Sequence, residues 1–508
     1  MPKIRLPSAD WLRDRFLSID VRTLGLARFY IASLLLIDLA KRSAEMSIWY
    51  SETGLLPNEM LEAHPIRQWG YSFLTYVSSD LGVRIAFVLI AAVYLCFLVG
   101  VFTRLFHWLS FICLVSLQIR ADLLSNGGDF VFCNLVLWTA FLPLGAAFSI
   151  DARRKAEAGE ATPSPVVSPA VLVVALQLAV IYYFNAVHKT GETWRDGTAV
   201  YWLAHQERIV TFLGLWMREN LPLSMFRGMS YFALALEYAL PLLILSPWGR
   251  PWTRRAAIVS IWALHLGIAA VANVGFFSFV MMGYSMLLVS PEDWEWLRAR
   301  ALARWGEGSE IARRLTLPST AQSAMWRRSP LRWIEAAALA FLVVVATSQV
   351  LVENPAVPSF LKHEQPKWIR ATVATLRLNQ GWRMFAPDAP RFDMWLVFDA
   401  KTVDGRRVDP YNAIASRYSD PELRTLPPRL GQNYYWCDYT VRIRAHRQYF
   451  RWLADWIFRH HERTGNENDR IVSFDAYEVS HLPPSPFETE PKDMKVTRFM
   501  SKRQSGSR

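Results

Sequence analysis

The chain has 508 residues, 52% of them hydrophobic and 20% charged, with 22 Trp and 29 Phe. Soluble chains seldom carry so many long apolar stretches with so few charges between them, which excludes an ordinary set of soluble domains. The formal charge of +12 does not point to nucleic acid, because the bases collect in alternate loops between apolar runs.

A bilayer crossing takes about 20 mostly apolar residues. In chain order the candidates are Thr23–Ala40, Gly82–Thr103, Asp129–Ile150, Val167–Val187, Arg227–Ser246, Ala256–Val274 and Glu335–Val352. Leu105–Ile119 and Phe276–Ser290 are shorter and read as return arms of tight hairpins, for about nine spans in all. The first run is not a signal peptide: Arg13, Arg15 and Arg22 precede it, it contains Arg28 and Asp38, and no small-residue cleavage site follows. Arg13 to Arg22, Arg104, Arg153 to Lys155, Arg250 to Arg255 and the run from Arg298 to Arg332 fall on one side, which the positive-inside rule places in the cytoplasm. Lys41, Arg42 and Arg120 sit at the opposite ends. The N-terminus (1–22) is then cytoplasmic, 23–352 forms the membrane domain, and 353–508 lies outside.

Polar links interrupt the chain at 156–165 and at the basic segment 297–332, the latter read as a cytoplasmic loop with helical pieces. Beyond the last span, "FDMWLVFDAKTVDGRRVDP" (392–410) alternates around Asp404-Gly405, a hairpin signal. Residues 437–445 and 471–479 also read as strands. Between them, Tyr449, Phe450, Leu453, Trp456 and Ile457 share one helical face, which packs on its own sheet or lies on the outer leaflet. The expected fold is thus an all-α polytopic membrane protein with a small extracytoplasmic α+β domain at its C-terminus. Cys96, Cys113 and Cys133 lie in spans and Cys437 stands alone in the tail, so the tail has no internal disulfide, and no zinc-type spacing predicts a metal site.

Ionisable groups inside hydrocarbon are costly and tend to pair or face a polar cavity. Arg28 and Asp38 are ten positions apart on the first span and do not share a face, so each is expected to find a partner on another helix. Glu237 lies one turn before Pro241 and either takes part in a polar site or bonds the backbone the proline frees. His265 has apolar neighbours on both sides and reads as a satisfied core histidine or as a functional one. Asn126 and Asp129 form a helix N-cap, with a carboxylate favoured at that end.

Lys189 ends the fifth span. It either snorkels to the headgroups or belongs to a site with Glu192, Trp194 and Asp196, which crowd the next turn. A polar site opening outward between spans four, five and seven would collect Asn126, Asp129, Lys189 and His265.

The block "YFNAVHKTGETWRDGTAVYW" resembles the segment of the vitamin K-dependent γ-carboxylases that holds their catalytic lysine, with Lys189 in its place when Trp194 and Gly197 are matched. "HLGIAAVANVGFFSFVMM" resembles a second carboxylase block and puts His265 on its histidine. The stretches "ARFYIASLLLIDLAKRSAEMSIWYSETGLLP", "NGGDFVFCNLVLWTAFLPLG" and "QGWRMFAPDAPRFDMW" are similar to the bacterial HTTM (horizontally transferred transmembrane) proteins, which share that fold. The likeness covers most of residues 20 to 400.

In the enzymes it resembles, the lysine is a base towards reduced vitamin K, which then reacts with oxygen. The oxygenated quinol removes a γ-proton from glutamate, and the carbanion takes up carbon dioxide. The resemblance therefore implies Lys189 as general base, with His265 and Asp129 as further catalytic groups. The polar residues gathered near them, Asn126, His188, Glu192, Trp194 and Glu237, are expected around the substrate. It also implies a reduced quinone arriving from the bilayer as cofactor and a protein or peptide substrate entering from outside. The lysine must be neutral near pH 7, which desolvation favours. Three departures stand out. His188-Lys189 replaces paired lysines, Asp129 replaces a histidine, and the tail is shorter than the carboxylases' lumenal portion. The rival reading is a non-catalytic membrane protein that binds or passes a partner or solute, its polar residues satisfying one another. A transporter is disfavoured by the lack of inverted halves or paired broken helices. A lysine enclosed beside a quinol-sized cavity favours an enzyme; one aimed at headgroups favours the rival.

Overall fold

The computed structural model describes residues 8–160, 164–306, 309–316, 330–416, 425–487 and 494–504. Parts of both predicted links (161–163, 307–308 and 317–329) lie outside the described residues. Each apolar run holds a helix, although that of Asp129–Ile150 stops at Thr139 and continues as turns: α1 (Val21–Ser43), α2 (Asp80–Val99), α3 (Thr103–Arg120), α4 (Gly127–Thr139), α5 (Pro169–Val187), α6 (Leu223–Leu245), α7 (Trp252–Val271), α8 (Phe277–Met286) and α9 (Pro330–Glu353). Six of them, α1, α2, α5, α6, α7 and α9, are long and apolar enough to cross a membrane. The basic segment after α8 does hold helical pieces, Pro291–Trp305 and Glu310–Leu315.

The helix ends are set by short polar residues. Asp20 accepts the Arg22 amide at 2.8 Å, Ser79 the Gly82 amide at 3.1 Å, and Ser168 precedes Pro169 at the first position of α5. Asn126 and Asp129 form a reciprocal capping box at α4, each side chain accepting a backbone N–H at 2.8 Å.

Polar contacts bind each end of the bundle. At one end, Arg28 donates to the carbonyls of Leu144 and Ala147 at 3.2 Å and to Phe148, and Arg22 joins Asp20 and Glu295 at 2.8 Å. At the other, Arg42 holds Asp38 at 2.8 Å and Asp129 at 2.9 Å. The expectation for the first span is met in part. Arg28 is met by a turn of free carbonyls rather than by another helix, while Asp38 holds an arginine one turn on in its own helix and also accepts from Tyr435, on a helix of the tail.

After α9 the chain forms α10 (Lys367–Leu376) and then the tail. Strands β1 (Asp393–Thr402), β2 (Arg407–Asp409), β3 (Ile414–Ala415), β4 (Ile471–His481) and β5 (Lys495–Arg503) make one antiparallel sheet in the order β3-β2-β1-β4-β5. The expected hairpin is β1–β2 and the expected strand at 471–479 is β4. The segment 437–445, expected as a strand, is instead part of helix α11 (Tyr434–Ala445). Its alternation continues upstream into Tyr435, and Tyr435, Tyr439 and Ile443 recur at helical spacing as a buried face, with Asn433 capping the start. Helix α12 (Phe450–Phe458) packs on its own sheet, Phe450 against Phe499 and Phe458 against Phe474, both at 5.3 Å. That outcome decides between the two placements of its apolar face.

Helix α11 seats the tail on the bundle. Tyr435 Oη donates to Asp38 at 3.0 Å, Trp436 Nε1 to Glu45 at 2.9 Å, and Trp436 stacks obliquely on Trp49 at 4.6 Å.

Candidate functional site

The last two turns of α5 place Tyr182, Asn185 and, just past its end, Lys189 at helical spacing on one side. Lys189 does not reach for headgroups; it is 7% exposed. Its Nζ makes a close ion pair with Glu237 Oε2 on α6 and lies 4.7 Å from the centre of the Trp194 ring. Asn185 Nδ2 donates to the other Glu237 oxygen at 2.8 Å. Glu237 thus pairs with a lysine and an amide, which is the polar-site alternative of the two that the sequence offers. Burial pushes the Lys189 ammonium below lysine's ordinary range, and Glu237 pulls it back up.

On α7, His265 Nε2 shares a hydrogen bond of 2.9 Å with Tyr182 Oη. Its Nδ1 is buried with no hydrogen-bond partner among the described residues. One ring nitrogen is matched and the other is not, an arrangement compatible with either reading of this histidine.

These groups line one cavity of about 60 Å³, whose other walls are mostly apolar and include Met384 and Phe385. Those two residues belong to a strap, 380–391, that crosses this end of the bundle. Met384 N donates to Asn185 Oδ1 at 2.9 Å, Trp194 Nε1 to the Phe385 carbonyl at 2.8 Å, and the Gly191 amide to the Pro387 carbonyl at 2.9 Å. Gly191 cannot carry a side chain there, because a Cβ would fall 2.2 Å from the Asp388 carboxylate. Gln380 anchors the start of the strap inside the bundle, on Gln177 and Asn134, both at 3.0 Å.

The predicted site residues therefore divide. Lys189, Trp194, Glu237 and His265 share the cavity. His188 lies behind it, bonded to the Trp382 carbonyl at 3.0 Å and the Ala356 amide at 3.2 Å, and holds the strap and the end of α9. Glu192 faces solvent and pairs with Arg391 of the strap at 2.8 Å. Asp129 and Asn126 do not line the cavity. Asp129 is held by Arg42, Asn126 donates to Asp438 of the tail at 3.0 Å, and their helix start abuts Met384 and Phe277 of the cavity wall. The single outward site expected to gather all four groups is thus two neighbouring networks.

Tyr182, Asn185, Met384 and Phe385 were not singled out from the sequence. Tyr182 and Asn185 could have been, from their i, i+3, i+7 spacing with Lys189. Nothing local marks the strap residues as cavity walls.

A family model described as HTTM domain matches residues 16–294, more than half of the chain. The match includes Lys189, Glu237 and His265 and ends before the strap. No curated protein and no solved structure matches this chain.

Proposed function

Because this chain belongs to the HTTM domain family and is a multi-pass integral membrane protein, we propose that it is a proton-transfer enzyme. Its reaction centre is the cavity held by Lys189, Glu237 and His265. The observation that carries the reading is the unmatched His265 Nδ1, buried on the same cavity wall as an enclosed lysine–glutamate pair. The substrate is an apolar, hydroxyl-bearing molecule of the quinol class, reached from the bilayer. In this arrangement the proton shared by the Lys189–Glu237 pair rests on Glu237, oriented by Asn185, and the neutral Lys189 Nζ takes the hydroxyl proton, so that the ammonium formed faces the quinolate and no lone charge is left buried. His265, its ring fixed through Tyr182, offers Nδ1 to the same molecule.

The space is smaller than the ~150 Å³ of an engineered cavity that admits benzene. A quinol ring therefore enters only with Met384 and Phe385 displaced. The arrangement of the chain under this proposal is nine traverses, with residues 1–22 cytoplasmic, the membrane domain at 23–352 and the tail at 353–508 outside. The opposed ends of α1–α9 and the clustering of bases from Arg13 to Arg22 and Arg250 to Arg255 at one of them support it. In carboxylase-like chemistry a peptide substrate would meet this site from the tail side.

The test is incubation of membranes with reduced naphthoquinone and oxygen. Native protein is expected to form the epoxide, and Lys189→Ala to lose activity by about a hundredfold or more. Equal epoxide from both, or none from either, overturns the quinol reading. The second reading, a non-catalytic protein that binds or passes a partner or solute, draws on the completeness of the Lys189–Glu237–Asn185 cluster. It predicts that the same substitutions change stability alone.

A further inference from the structure

At the opposite end of the bundle a separate pocket of about 340 Å³ opens among the chain entering α1, the link before α5, the turn between α6 and α7, and the chain leaving α8. Three arginines line it: Arg15, Arg250 and Arg254. Arg254, on the first turn of α7, is only 7% exposed, yet its guanidinium makes no hydrogen bond or ion pair to the described residues, and its Nε is buried without a partner. Among the described residues Arg250 donates only to carbonyls, those of Arg15 and Ser246. Burial, with Arg254 and Arg15 close by, lowers Arg250 to about 9, and Glu292 opposes that shift only in part.

The acidic groups at the pocket are Asp14, Asp20 and Glu292. Asp20 is spent on Arg22, at 2.8 Å, and Asp14 on Arg13, at 3.1 Å. Glu292 is exposed and has no ion pair among the described residues. Asp293, one residue on, is held by Arg255 at 2.6 Å and by the Ser290 cap. A cationic excess therefore remains. The pocket sits where two apolar helices end, and the turn that carries Arg250 and Arg254 also holds Trp248 and Trp252, each more than 70% exposed and of the residue type enriched at the membrane–water boundary.

We propose that this pocket binds a phosphate group, with Arg250 and Arg254 as its ligands and Arg15 at the mouth. Guanidinium forks match phosphate oxygens in pairs, and basic pockets between membrane helices take lipid headgroups. The phosphate comes from a phospholipid headgroup or from free phosphate in solution, and the two sources are separable by experiment.

The full-length protein in detergent is titrated with dioctanoyl phosphatidic acid, followed by native mass spectrometry, and separately with inorganic phosphate, followed by thermal shift. Wild type is expected to bind at least one probe. The double variant Arg250→Gln/Arg254→Gln is expected to bind it about thirtyfold more weakly, and Arg153→Gln, a base outside the pocket, to leave binding unchanged. Phosphatidic acid binding without an inorganic phosphate response assigns the lipid source; saturation by inorganic phosphate alone assigns the free anion. Should the double variant fail to fold, Glu292→Gln provides the reading, since loss of the rim carboxylate is expected to tighten binding about threefold or more. Equal binding by wild type and the arginine variant, no binding of either probe to wild type, or an unchanged affinity in Glu292→Gln overturns the proposal.

Discussion

Asn126 and Asp438, 312 positions apart, meet at 3.0 Å, the amide of the cap residue of α4 donating to a carboxylate on α11 of the tail. Burial, against the pull of Arg442 and Asn126, raises the Asp438 carboxyl from 3.8 to about 6. Asp409 in the tail sheet is likewise raised by burial to about 6. A carboxyl whose folded pKa is raised keeps a proton that the unfolded chain has given up between 3.8 and about 6. The contribution of both groups to stability therefore falls as pH rises through that window. The tail is expected to resist unfolding better at pH 5 than at pH 8. Asp409→Asn should flatten the dependence between these two pH values by on the order of 1–1.5 kcal/mol. Tryptophan fluorescence during denaturant unfolding of the full chain, repeated at both pH values, checks the sign.

The Lys189–Glu237 pair gives a prediction independent of any substrate. Removing one partner leaves the other charge buried, so Lys189→Met or Glu237→Gln alone should cost about 3–5 kcal/mol. The double substitution removes both charges and should recover most of that loss. Thermal unfolding of the four proteins in one detergent reads the cycle. Additive losses would show that the two side chains do not act as a pair.

Gly191→Ala puts a methyl group into the Asp388 carboxylate, which the Thr193 amide and hydroxyl hold at 2.8 and 2.9 Å. The strap must shift, at about 1–3 kcal/mol, and protease cleavage between residues 386 and 391 should speed up. Asp388→Ala in the same chain relieves the clash, so the double variant is expected to melt close to Asp388→Ala alone, the added methyl costing no more than about 0.5 kcal/mol.

Arg42 stands between Asp38 and Asp129. Arg42→Gln leaves two buried carboxylates facing one another and should destabilise the protein by about 3–5 kcal/mol. Asp129→Asn keeps the cap geometry and should be milder. If Asp129 instead worked in the lysine cavity, its substitution would abolish turnover while leaving melting unchanged, and comparing the two readouts distinguishes these roles.

Much of this molecule could be read from the order of its residues. Hydrocarbon sets a length and forbids free charge, so apolar runs such as Val167–Val187 announce their helices, and bases such as Arg250 and Arg254 announce an end of the bundle. The Asn126–Asp129 cap and the β1–β2 hairpin are legible for the same reason: the partners are close in sequence, and their backbone geometry is set locally. Segment 437–445 shows where this fails, because nine residues fit either period and the deciding contacts, Tyr435 on Asp38 and Trp436 on Glu45, come from the far end of the chain.

Which charges meet was settled only by packing. Lys189 lies beside Glu237 because α5 and α6 pack together, while Asp129 is held outside that cavity by Arg42 and by its own helix cap. The strap that walls the lysine cavity follows α5 by about 200 positions, and no local periodicity records where such a segment returns. A buried ion or amide accepts whichever complementary partner the folded chain brings within about 3 Å, and that choice is made by the whole fold at once.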